Sequence, residues 1–453
     1  MASVPQTEAP TAGRRAQFSW CLYDWANSGF PTVIVTFVFA AYFSRAVADN
    51  QIEGTAAWGH ALAVSGILIA VLSPILGSIA DRTGRRKPWL GAFAAITVAA
   101  TALLWYTRPD PADMLWALVF FVLANTAFEI GNVFYNAMLP GLVSRERIGR
   151  LSGWSWGLGY MGGLACLGLL LVLFVQAERP LFGLDKGQAE HIRIVGPMVA
   201  LWFAVFAIPT FLWVPDEAGL RVRAGEAIRT GLAQLVSTLR EIRRHANIAR
   251  FLLARLFYVD GMNTMFAFGG IYAAGTFGMS FEEIIQFGIA LNVTAGLGAA
   301  GFAWLDDRIG SKRTVQIGIV GLIVFGVPLL VVESKTAFWL LALPLGIFMG
   351  PVQAASRSLM AHLAPVELRT EMFGLYALSG KVTSFAGPAV LAWATLAFES
   401  QRAGMATIIA FFAVGLVLMA FVAAPRRYSP HFSPVSRPAS RPGARPSGAG
   451  RRA

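Results

Sequence analysis

Inside otherwise apolar stretches of this chain, a few ionisable and amide side chains recur at helical spacing. Asp24 and Asn27 lie three residues apart in Tyr23-Asp24-Trp25-Ala26-Asn27-Ser28 and so share one helix face. Asn125, Glu129, Asn132 and Asn136 follow at intervals of four, three and four, a continuous polar stripe. Arg255, Asp260 and Asn263 fall in a third stretch and Lys381 in a fourth. A charge in hydrocarbon is costly unless it faces water, a partner or a permeating solute. These residues are therefore read as the wall of a cavity for a small polar solute or a coupling cation. Two roles stay open for Lys381: an ion pair with Glu129 or Asp260, or contact with one end of a zwitterion. Asp24 fits either a solute site or an interhelical hydrogen-bond network.

A second set sits at helix ends and suits gating. Asp81, Arg82, Arg85 and Arg86 occupy one short link, and Asp307 and Arg308 the corresponding one; carboxylates and cations there can make contacts in one state and release them in another. Gln353 and Arg357, an i,i+4 pair, are assigned to the gate as well; Arg357 is long enough to snorkel to the cytoplasmic surface, which leaves anchoring and ligand recognition as its alternative roles. The five histidines and two cysteines form no close cluster, so neither a metal site nor an enzyme is expected.

The elements that must position these groups follow from composition. Of 453 residues, 56% are hydrophobic and 14% charged, against about 25% charged in soluble domains. The expected class is an all-α polytopic membrane protein. Twelve apolar stretches lie near 18–46, 58–80, 88–107, 112–139, 150–175, 194–214, 248–276, 282–304, 313–332, 336–360, 371–398 and 402–424 and are called spans one to twelve. Glu129 lies about 22 Å along span four from Met114, too deep for a surface residue in a core of about 30 Å. Basic links alternate with neutral or acidic ones, and the positive-inside rule then puts both termini in the cytoplasm.

The chain also repeats itself. Asp81-Arg82-x-Gly84 after span two matches Asp307-Arg308-x-Gly310 after span eight, 226 residues on, and Leu139-Pro140 matches Ala364-Pro365 at 225. Two six-helix bundles of like orientation, related by an axis along the membrane normal, are the simplest reading. The expected organisation is a cytoplasmic tail at 1–17, a bundle at 18–214, a linker with an amphipathic helix at 215–247, a second bundle at 248–424 and a disordered basic tail at 425–453. That tail holds seven arginines and no acidic residue. It accounts for much of the net charge of +12, so nucleic acid is not an expected partner; the bilayer and a small solute are, with the chain acting as a monomer.

Several of these segments together resemble the major facilitator superfamily, in its branch related to the fungal autophagy vacuolar effluxer. The resemblance rests on Tyr23-Asp24-Trp25-Ala26-Asn27-Ser28, Gly77-x-x-x-Asp81-Arg82-x-Gly84-Arg85-Arg86, Phe134-Tyr135-Asn136-Ala137-x-Leu139-Pro140, Asp260-Gly261 and Gln353-Ala354-x-Ser356-Arg357-Ser358-Leu359. It implies twelve helices, alternating access and secondary transport, with amino-acid efflux as the fungal relatives' activity and the bacterial plasma membrane as the location. The segment Asp81 to Lys87-Pro88-Trp89 also looks like proton- or sodium-coupled glycoside permeases, which keeps a sugar symporter as the alternative. A non-transporting scaffold or receptor is the alternative of another class. No cofactor is expected beyond a coupling proton or sodium ion. Ser311 stands where Arg85 stands in the first half, so the second loop is a reduced copy.

Overall fold

The computed structural model describes residues 11–216, 222 and 224–424. The basic tail at 425–453 and the first ten residues lie outside the described residues. Helices account for all regular structure among them. Each expected span is met by one helix or by consecutive helical segments, several longer than their apolar cores. Span two runs Gln51–Thr83 and span eight Phe281–Ile309. Local signals set these ends: the Asn50 side chain accepts from the Glu53 N–H, and Ser280 with Glu283 forms a capping box. The repeated Asp-Arg-x-Gly ends both helices. Gly84 and Gly310 take φ of 74° and 94°, a region open to glycine, and so turn the chain into the next span.

Among the described residues, ten helices are long and apolar enough to cross a membrane by length and composition. The two remaining spans depart from that pattern for a reason that bears on function. Span seven is one helix, Ala246–Phe277, but carries the charges noted above. Span eleven, expected as one helix over 371–398, is broken into Arg369–Ser379 and Ala386–Ala397. The break falls at Gly380-Lys381 and just before Gly387-Pro388, where glycine weakens the helix and proline removes a donor. Span one is also irregular: Arg14–Asn27 gives way to the wide turn Phe30–Phe37 at Gly29-Phe30-Pro31. Irregular backbone at membrane depth is tolerated where it lines a cavity, and both breaks adjoin residues with solute-binding chemistry.

Packing shows the repeat in three dimensions. Within the first half, span one packs on five and six, span four on two and three, and span three on six. In the second half, span ten packs on eight and nine, and span twelve on seven and nine. Between halves, span five packs on eight and span two on the first half of eleven. These two seams close the molecule on the face that carries Arg14 and Ala420, here called the terminal face. The outer half of span eleven leans on spans seven and twelve instead. Large apolar side chains such as Val71, Leu115, Leu212, Leu297 and Leu340 are exposed on the outer surfaces, as expected of a lipid-facing exterior. The linker helix Ala224–Arg240 lies against span two, with Gly231 close to the Ile79 backbone.

Candidate functional site

A cavity of about 680 Å³ lies between the bundles. Its wall reaches from Arg357 near the terminal face to Leu330 and Phe338 at the far ends of spans nine and ten. Of the residues expected to line it, Asp24, Asn27, Glu129, Asn132, Asn136, Arg255, Asn263 and Lys381 do so. Phe37, Phe128, Phe266, Phe287 and Phe412 supply apolar wall.

Two ion pairs join the bundles across this space. Glu129 of span four and Lys381 at the break of span eleven meet at 2.7 Å, with side chains 25% and 31% exposed. Both charges are therefore satisfied by each other yet accessible to a solute. Deeper, Asp24 of span one and Arg357 of span ten meet at 2.9 Å, 14% and 3% exposed. The guanidinium fork is fully engaged: Nε donates to the Ser152 hydroxyl, Nη2 to the Ser152 carbonyl, and Nη1 to Asp24 and to Asn136. The rings of Trp20 and Trp156 lie 5.0 and 5.6 Å from it, within cation–π range. Ser155 also donates to Asp24.

Arg357 therefore does not use its length to snorkel outward. A full set of acceptors inside the seam outweighs the pull of the membrane surface. Gln353 likewise lies on the cavity wall, accepting from Tyr160 at 2.8 Å. Two assignments need correction. Asn125 belongs to the stripe by spacing but turns into the contact with span two, donating to Ser65 at 2.7 Å. Asp260 is 2% exposed and absent from the cavity wall; it accepts from the Gly387 N–H at 2.9 Å. The break in span eleven creates that unpaired N–H, and an aspartate caps it. Arg255 donates to the Tyr376 carbonyl and the Ser379 hydroxyl, placing a cation at the end of the first half-helix of span eleven.

The seams have matching chemistry. Asp81 accepts from the backbone N–H groups of Thr370 and Glu371, at 3.0 and 2.9 Å, at the start of span eleven. Asp307 accepts from the Arg150 N–H at 3.0 Å at the start of span five, and pairs with the Arg150 side chain at 3.2 Å. Each bundle thus lends an aspartate to a helix N-terminus of the other, where negative charge is favoured. Arg86 donates to Thr370 at 2.9 Å and lies 3.5 Å from Asp81; Arg82 donates to Gln234 of the linker helix; Arg85 is largely exposed, 3.7 Å from Asp216. Arg308 is exposed in the last turn of span eight. The backbones nearly touch: a Cβ on Gly374 would lie 2.5 Å from the Ser73 carbonyl.

From this geometry we expect Asp81→Asn to leave folding intact and weaken closure of the terminal face by about 1–2 kcal/mol, the scale of a partly buried charge at a helix terminus. Stopped-flow exchange kinetics indistinguishable from those of the unmodified protein would show that this contact does not hold the gate.

Sequence reasoning missed Ser152, Ser155, Trp156 and Tyr160, which supply span five's face toward Arg357 and Gln353. Ser152 and Ser155 are three apart and Trp156 and Tyr160 four apart, but they are interleaved with glycines, so the pattern reads as close packing rather than as a polar face.

A twelve-span protein with two like-oriented bundles around a central cavity is a secondary transporter of the major facilitator fold. Solved structures share the fold: the major facilitator superfamily transporter FucP in its outward conformation superposes with a TM-score of 0.70, covering 90% of this chain and 100% of that one at 12% identity. The proton:xylose symporter XylE gives 0.68, covering 90% and 96% at 12% identity. Residues 46–429 match the family model described as vacuole effluxer Atg22 like, and the chain belongs to that family. The MFS-type transporter YxiO of Bacillus subtilis is 30% identical over 409 residues, covering 89% of this chain and 94% of that one. Autophagy-related protein 22 of Cryptococcus neoformans is 24% identical over 298 residues, 61% of this chain and 51% of its own length.

Proposed function

We propose that this transporter moves a small zwitterion of the α-amino-acid class by alternating access, in the direction of efflux. The observation that carries the reading is the Glu129–Lys381 pair, one charge from each bundle, accessible inside the cavity. A zwitterion presents an ammonium and a carboxylate that can replace these partners one for one. Its side chain then meets phenylalanine walls. Because the two charges belong to opposite bundles, a solute that bridges them responds to the bundles' relative position, which is what alternating access requires. The family's description as an effluxer supports the direction. The basic links support a cytoplasmic terminal face in a bacterial plasma membrane.

Counterflow in proteoliposomes tests this, with amino acids and glycosides offered under separately imposed proton and sodium gradients. Exchange of amino acids without exchange of glycosides is the expected result. Glycoside exchange alone would replace the reading with the sugar alternative, for which Asn27, Asn132, Asn136 and Asn263 offer amide partners.

A further inference from the structure

Glu371, in the first turn of span eleven, is fully buried in the seam with span two. Neither of its carboxylate oxygens has a hydrogen-bond partner among the described residues. An ionised carboxylate in that condition is strongly disfavoured. The groups facing it do not remedy this. From span two come Asp81, which already accepts from Glu371's own N–H, and Arg82, committed to Gln234 at 2.7 Å. Arg86 is committed to Thr370 and Asp81. From the linker helix comes the Thr238 hydroxyl, a single neutral donor outside hydrogen-bond distance in this closed form, which favours the carboxylate but carries no charge to offset its burial.

The internal repeat sharpens the point. Glu146 to Gly153 aligns with Glu367 to Gly374, both before the glycine at the seam, so Glu371 occupies the place that Arg150 holds in the first half. In the seam between spans five and eight, Arg150 neutralises Asp307 at 3.2 Å. In the seam between spans two and eleven, a carboxyl group takes the arginine's position beside the equivalent aspartate. Two like charges in a dry contact cannot both ionise at low cost.

We propose that Glu371 is a proton-binding site whose occupancy is coupled to closure of the terminal face. Closing the seam takes one proton from water on that face onto the Glu371 carboxylate, giving a neutral acid; opening hydrates the group and returns the proton to the same side. Rising pH therefore favours opening. Linkage of a single proton gives about a tenfold fall in the closed-to-open ratio per pH unit, across the range where the opened site is ionised and the closed one protonated. This deepens the transport reading and rests on it, because it makes the movement itself consume and release a proton. Glu129 is neutralised by Lys381, whereas among the described residues no ion pair or hydrogen bond reaches the Glu371 carboxylate oxygens.

The test is a pulsed-dipolar distance measurement in nanodiscs, with spin labels on Arg147→Cys and Glu367→Cys, exposed positions on the two halves of the terminal face; both native cysteines are buried. The expected result is a population that moves from short to long distance as pH rises. Glu371→Gln, a neutral isostere, should stay short throughout, as should Glu371→Arg, which copies the other seam. A Glu371→Gln titration that superimposes on that of the unmodified residue overturns the proposal. So does a pH-independent distribution in a protein that still opens when an amino acid is added. A distance that never changes under pH or added amino acid sinks both this site and the transport reading.

Discussion

Replacing Arg357 with glutamine is expected to abolish transport and to lower stability by about 3 kcal/mol, the lower end of the cost of breaking a buried pair. The lower end applies because Asp24 keeps 14% of its side-chain surface open to the cavity. The substitution removes the Nη1 donor to Asp24 and Asn136 together with the two donors to Ser152, so it unties span ten from spans one, four and five at once. Thermal unfolding in detergent, read beside proteoliposome flux, separates the two effects. Asp24→Asn with Arg357→Gln leaves no unpaired charge and should recover most of the lost stability without recovering transport. A single Arg357→Gln variant with normal flux would show that the pair is packing and nothing more.

The second large effect concerns the accessible pair. Lys381→Met should raise KM for a zwitterionic substrate roughly ten to a hundredfold, from losing a charge-assisted contact of about 1.5–3 kcal/mol. Insertion should be unaffected, since the substituted side chain sits at a break already open to the cavity. The informative comparison is an amino-acid amide, which keeps the ammonium and lacks the carboxylate. It should bind the unmodified protein weakly and be nearly indifferent to Lys381→Met. Glu129→Gln should produce the reverse ranking, penalising ligands with an ammonium. If amide and acid lose affinity equally in Lys381→Met, the lysine acts only by holding Glu129, and the zwitterion reading loses its main support.

These expectations draw on two kinds of information that were unequally legible in the chain. Composition and apolar run length specify a helical membrane protein because a backbone in hydrocarbon must satisfy its own hydrogen bonds, and a helix does so within one segment. The repeated Asp-Arg-x-Gly marks the two halves, since a helix end, a charge and a left-handed turn are local properties of a few consecutive residues. Helical spacing and the cost of a charge in hydrocarbon also selected polar members of the cavity wall: Asp24, Glu129, Asn132, Asn136 and Lys381 stand out as costly groups in apolar surroundings.

What spacing could not supply is which neighbour each face meets. Asn125 shares the stripe of Glu129 but lies where span four crosses span two, so it turns to Ser65. Asp260 caps a helix end that exists only because span eleven is broken, and Arg357 stays inside because acceptors from three other spans surround it. The significance of Glu371 is wholly tertiary: by sequence it is an ordinary acidic residue in a first helical turn, a favourable place for it. Only the seam, which buries it beside Asp81 in the position that Arg150 holds opposite Asp307, turns it into a group that must gain a proton before the face can close. Sequence alone determined the apolar spans and the rare charges within them, because those depend on the solvent around each segment. The tertiary structure decided the partners, because pairing depends on distances between residues hundreds of positions apart.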